Sequence, residues 1–88
     1  MDQERLLKDL AQVEHHLLRG EEAIARQEQI AAALEQMGQA ELEQKARQVL
    51  ATFRDVQKNL FRDLGRIRRE IEHATLASKQ AAGGEREA

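Results

Sequence analysis

Apolar positions at the start of the chain recur at alternating intervals of four and three: Leu6, Leu10, Val13, Leu17, Gly20, Ile24, Gln27, Ala31 and Leu34. That spacing keeps one face of an α-helix turned toward a partner for about four heptads. A second run follows the same rule: Leu42, Ala46, Val49, Phe53, Val56, Leu60, Leu64, Ile67, Ile71 and Ala74. One interval departs from it. Val56, Leu60 and Leu64 are spaced four and four, a stutter of the kind that locally unwinds a left-handed supercoil. Neither run alternates with period two, which excludes strands. The pattern predicts a helix over about 2–37, a turn near 38–39, a second helix over about 40–80 and a disordered tail over 81–88.

Gly38 lies between the two stripes, and glycine enters the left-handed conformation that ends many helices without a Cβ clash. A turn there pairs residues whose numbers add to a near-constant value. Leu34 then faces Leu42, Gln27 faces Val49, Gly20 faces Val56 and Leu6 faces Ile71. The expected fold is all-α: an antiparallel, coiled-coil-like two-helix hairpin forming a single domain over 1–80. The residues after Gly38 include no Ser, Thr, Asp or Asn to cap the second helix. A single unbroken helix through Gly38, with one more stutter, is the competing arrangement. Gly20 and Gly65 lie inside the helices, where each costs about 1 kcal/mol relative to Ala. At Gly20 the alternatives are a tolerated defect and a close approach near Phe53 and Val56.

Composition agrees with long helices. Charged residues make up 34% and aromatic residues 2% of the chain, with no Trp, Tyr, Pro or Cys. A chain without Cys has no disulfides, zinc fingers or thiol catalysis. The first residues lack the apolar run of a signal peptide, and no uncharged stretch approaches the roughly 20 residues that span a bilayer. A cytoplasmic protein without a membrane segment is the expectation. Charge is uneven: residues 1–37 carry eight acidic and four basic side chains, whereas residues 39–80 carry six acidic and nine basic. Two halves of opposite sign attract when packed side by side.

The chain carries three candidate functional signals. His15 and His16 point about 100° apart, and Glu70 and His73, although spaced as Glu-x-x-His, flank the seam residue Ile71. Hydroxyl groups are limited to Thr52, Thr75 and Ser78, with no His and acid at helical spacing. No catalytic, metal or cofactor residue is expected, and the chain is not expected to be an enzyme. The basic run Arg62, Arg66, Arg68 and Arg69 offers possible phosphate contacts for weak nucleic-acid binding. Asp9 near Arg68 and Glu14 near Arg62 would instead neutralise it within the hairpin. The third signal is self-association. Leu50 and Phe61 on one helix, and Leu7 and Leu18 on the other, lie beside the expected seams, where a lone hairpin leaves them in water. They are the expected partner surface of a homodimer closing as a four-helix bundle. The expected function is therefore a non-enzymatic structural or protein-interaction module acting through homo-oligomerisation, with phosphate-backbone binding as the alternative.

The segment Gly20-Glu21-Glu22-Ala23-Ile24-Ala25-Arg26-Gln27, followed by Leu34, Gly38 and Arg47-Gln48-Val49-Leu50-Ala51-Thr52-Phe53, resembles a group of short uncharacterised proteobacterial helical-hairpin proteins. These carry Gly-Glu-x-x-Ile-Ala-Arg-Gln, a glycine-centred turn and a Leu-Leu-Ala-x-Phe-like second segment. The likeness covers residues 20–57. It departs from the group at Ala23, where His is frequent, and at Gln39 and Ala40, where polar capping residues follow the glycine. The resemblance implies a bacterial helical hairpin and brings no catalytic residues.

Overall fold

The computed structural model describes the backbone of residues 2–87 and the side chains of residues 3–79. Two helices, α1 (Asp2–Gln36) and α2 (Ala40–Glu87), pack antiparallel along α1's whole length in a rod of 75 × 15 × 14 Å. Among the described residues there is no strand. The expected tail over 81–88 falls on side chains outside the described set, although the helical backbone of α2 continues to Glu87.

Gly38 turns the chain. Its φ is +71°, in the left-handed region. The Gly38 amide donates to the Glu35 carbonyl at 3.1 Å and the Gln39 amide to the Leu34 carbonyl at 3.0 Å. These two bonds are the Schellman pattern, which satisfies the last carbonyls of α1. The start of α2 has no hydroxyl or carboxylate cap. The Gln39 carbonyl accepts from the Glu43 amide at 2.8 Å, and Glu41 and Glu43 place negative charge in the first turn. This pattern excludes the unbroken helix.

The seam on α1 follows the expected stripe, with Leu17 and Ala31 buried and the remaining stripe positions half-buried. On α2 the expected seam is wrong at three positions. Leu42, Val49 and Val56 are 50%, 42% and 52% exposed, whereas Leu50 and Gln57 are buried at 3% and 7% exposure. Asp63 and Gly65 flank Leu64 at intermediate burial, and the seam residues of α2 run Glu43, Ala46, Leu50, Phe53, Gln57, Leu60, Leu64, Ile67, Ile71 and Ala74. Their intervals alternate three and four throughout, so the expected stutter is absent. The regular heptad holds a polar residue at position 57 in preference to breaking register to bury Val56.

Two features make that choice physically acceptable. Gln57 Nε2 donates to the Leu17 carbonyl of α1 at 2.8 Å, and Gln27 Nε2 donates in the opposite direction to the Ala46 carbonyl of α2 at 2.9 Å. Each glutamine thus uses a second lone pair on a helical carbonyl, which offsets the cost of burying an amide. Gly20 then makes room. A Cβ at Gly20 would overlap Gln57 Oε1 and lie 2.9 Å from Gln57 Cδ. The close approach is therefore real, but the facing residue is Gln57 rather than Val56. Gln57 Oε1 is buried without a hydrogen-bond partner and occupies the space that a Cβ at Gly20 would take.

Candidate partner-docking flank

With the seam at heptad positions a and d, each helix presents an e flank and a g flank beside it, and the two flanks of this hairpin differ sharply. On the e flank α1 carries Glu14, Glu21, Glu28 and Glu35, and α2 carries Arg47, Arg54, Phe61 and Arg68. Glu35 pairs with Arg47 at 3.0 Å, Glu28 with Arg54 at 3.1 Å and Glu14 with Arg68 at 4.0 Å. The rungs step by whole heptads in opposite directions along the two chains. Phe61 occupies the place where a basic residue would complete the rung at Glu21.

This ladder corrects the expected pairing of Glu14 with Arg62 and Asp9 with Arg68. Helical side chains lean toward the N-terminus of their own helix. In an antiparallel pair Glu14 therefore reaches away from the turn and its arginine reaches toward it, so the partner lies further from the turn than position 62. Asp9 instead lines a shallow recess with Arg5, Arg66 and Glu70. Arg47 also donates through Nε to Glu43 at 2.7 Å; that bond, ahead of the nearby carboxylate charges, raises its pKa above the ordinary arginine value. Glu43 is the charged residue at the turn end of the seam, and Arg47 neutralises it.

The g flank is apolar over its turn-proximal half. Ala23, Ile30 and Met37 of α1 lie alongside Leu42, Val49 and Val56 of α2. Ile30 is 46% and Met37 66% exposed, which with Leu42, Val49 and Val56 makes five large apolar side chains facing water along one edge. This row continues into a groove of about 360 Å³ walled by Gly20, Ala23, Phe53, Val56 and Leu60, with His16 and Gln57 as its polar members. Further from the turn the same flank becomes polar, with His16, Asp63, Asp9 and Glu70.

Of the four residues of the expected partner surface, the geometry removes one and leaves three exposed. Leu50 belongs to the seam and has no exposed face to offer. Leu7, Leu18 and Phe61 are 51%, 57% and 54% exposed, but they lie on the ion-paired side and do not join the apolar g row. The sequence reading missed the g row because it had placed Leu42, Val49 and Val56 inside the hairpin. The available signal was Ile30 and Met37, which lie a heptad apart and outside the α1 stripe.

The remaining candidate chemistry is dispersed. Arg66 lies 3.8 Å from Asp63 and 3.5 Å from Glu70, and Arg68 pairs with Glu14. Arg62 and Arg69 are exposed on the back of α2. The rings of His15 and His16 stand 5.9 Å apart and tilted, and no cluster of metal-binding side chains occurs among the described residues. Among the same residues no helix is long and apolar enough to cross a membrane. No protein family, curated protein or solved structure matches this chain.

Proposed function

We propose that the hairpin is a non-enzymatic protein-interaction module that buries its apolar g flank against a further helix. The observation that carries this reading is the asymmetry of the two flanks. One side is closed by glutamate–arginine pairs, and the other presents Ile30, Met37, Leu42, Val49 and Val56 to water. Burying such side chains contributes about 1.5–3 kcal/mol each. A lone hairpin has one thin seam, in which no large side chain among the described residues falls below 2% exposure. Small scaffolds of this size gain stability by adding helices. Two copies joined as a four-helix bundle are one form of the reading. The same proposal places the module in a bacterium, as the proteobacterial resemblance implies, and in the cytoplasm, as expected from the sequence. Phosphate-backbone binding through Arg62, Arg66, Arg68 and Arg69 is the weaker alternative, because Arg66 and Arg68 already have carboxylate partners.

The test is a surface substitution. Val49→Glu puts a carboxylate in the middle of the row at a half-exposed position. The parent chain should self-associate or take up an amphipathic helical peptide, and the variant should do neither while retaining its helicity. Sedimentation velocity and peptide titration read the two outcomes. A parent chain that stays at 10.0 kDa and takes up no helix overturns the proposal.

A further inference from the structure

The apolar g row has a border of one electrical sign. The positions bordering it are Arg19, Arg26 and Ala33 on α1 and Lys45, Thr52 and Asn59 on α2, and all six are exposed. Three of them are cations and none is acidic. The six residues of the row itself, from Ala23 and Val56 to Met37 and Leu42, carry no charge. Among the described residues neither Arg19, Arg26 nor Lys45 takes part in an ion pair. On the opposite flank the arginines face glutamates; here Glu22 and Glu41 are the nearest carboxylates along the helices, on the outer side of the border away from the row, and none is within ion-pair distance.

From this border we infer that the occupant of the g flank is an amphipathic α-helix of a different protein, with carboxylates on both sides of its apolar stripe. The inference rests on the docking reading above and names the partner's chemistry. A helix laid in the groove between α1 and α2 meets Ala23, Ile30, Val49 and Val56 with its stripe. The residues bordering that stripe come beside Arg19 and Arg26 on one side and Lys45 on the other. A second copy of this chain would bring to the contact the same border, which holds three cations and no carboxylate. Like charges at such a contact oppose association and select against that partner. From Ala23 to Met37 the row spans two heptads, about 21 Å of helix axis, so the partner needs only two to three heptads.

Two synthetic helical peptides test this directly. They share one leucine–isoleucine stripe, bordered by Glu in one and by Lys in the other, and each is titrated against the full chain by fluorescence anisotropy. The Glu-bordered peptide should bind about tenfold tighter at low salt, as three exposed ion pairs would provide. The difference should shrink as salt is added. Arg26→Glu combined with Lys45→Glu should reverse the preference, and Val49→Glu should abolish binding of both peptides. Equal affinity for the two peptides would overturn the acidic partner and leave the docking flank standing. A chain that sediments as a dimer, and that Val49→Glu returns to 10.0 kDa, would do the same, with a second copy as the occupant. The absence of both peptide uptake and a dimer would overturn the flank itself.

Discussion

Replacing Gly20 with Ala separates two effects that act in opposite directions at one site. In an exposed helix the substitution would add about 1 kcal/mol of stability, because Ala loses less backbone entropy than Gly. Here the new Cβ would overlap Gln57 Oε1 and crowd Gln57 Cδ at 2.9 Å and Nε2 at 3.3 Å. The obstacle is the end of a flexible side chain, so the helices need not move apart, but Gln57 must rotate. Rotation breaks its 2.8 Å bond to the Leu17 carbonyl, a net loss of about 0.5–1.5 kcal/mol. A distorted rotamer adds about 0.5–1.5 kcal/mol. Against the propensity gain, Gly20→Ala should lower stability by about 0–2 kcal/mol. In a Gln57→Ala background neither penalty exists, and the same substitution should raise stability by about 1 kcal/mol. The coupling between the two sites is then about 1–3 kcal/mol. Urea unfolding followed by far-ultraviolet circular dichroism suits a chain without Trp or Tyr, with all four proteins at one low concentration. If Gly20→Ala has the same effect in both backgrounds to within about 0.5 kcal/mol, Gln57 does not occupy the space above Gly20 and the seam assignment on α2 fails with it.

The other expectations follow from the same register. Leu50→Ala should cost about 2–5 kcal/mol as a buried truncation, whereas Leu18→Ala should stay within about 0.5 kcal/mol; chemical denaturation distinguishes them, and similar losses would contradict the seam. Phe61→Arg should complete the rung at Glu21, adding at most about 1 kcal/mol that disappears at high salt, and should leave helix docking on the g flank unchanged. Gly38→Ala forces a side chain into the left-handed region at φ +71° and should cost about 1–2 kcal/mol. Small-angle scattering of the parent should give a radius of gyration near the 20.8 Å of the hairpin; a rod approaching the roughly 130 Å length of one continuous helix would exclude the turn.

How much of this was legible in the sequence depends on what the sequence rewards. The three–four spacing of Leu6 to Leu34 marked α1's buried face, and Gly38 marked the turn, because both are local signals with one dominant physical cause. The face of α2 was ambiguous at three neighbouring pairs: Leu42 or Glu43, Val49 or Leu50, and Val56 or Gln57. Choosing by hydrophobicity favours Val56 over Gln57, and accepting Val56 forces a stutter. The structure decides by continuity, because an uninterrupted heptad keeps every layer of the seam aligned, whereas one polar side chain can be accommodated locally. Such accommodation needs an acceptor on the facing helix and a gap to fill, and the Leu17 carbonyl and Gly20 provide them. Neither is visible until the two helices are set side by side.

The same choice of seam residues on α2 fixes which flank is apolar. With Val49 and Val56 assigned to the interior, the g flank looked unremarkable and Leu50 looked free. Moving the α2 seam by one residue at these layers exchanges their roles and aligns Val49 and Val56 with Ile30 and Met37. The unequal charge of the two halves acquires a more specific meaning as well. The attraction expected between an acidic α1 and a basic α2 is concentrated on the e flank, at Glu14, Glu28 and Glu35 against Arg68, Arg54 and Arg47. Arg19, Arg26 and Lys45, which border the apolar row, form no ion pair among the described residues. On the reading proposed above, this division of charge between the flanks, rather than the small net charge, sets the side and the sign of the partner.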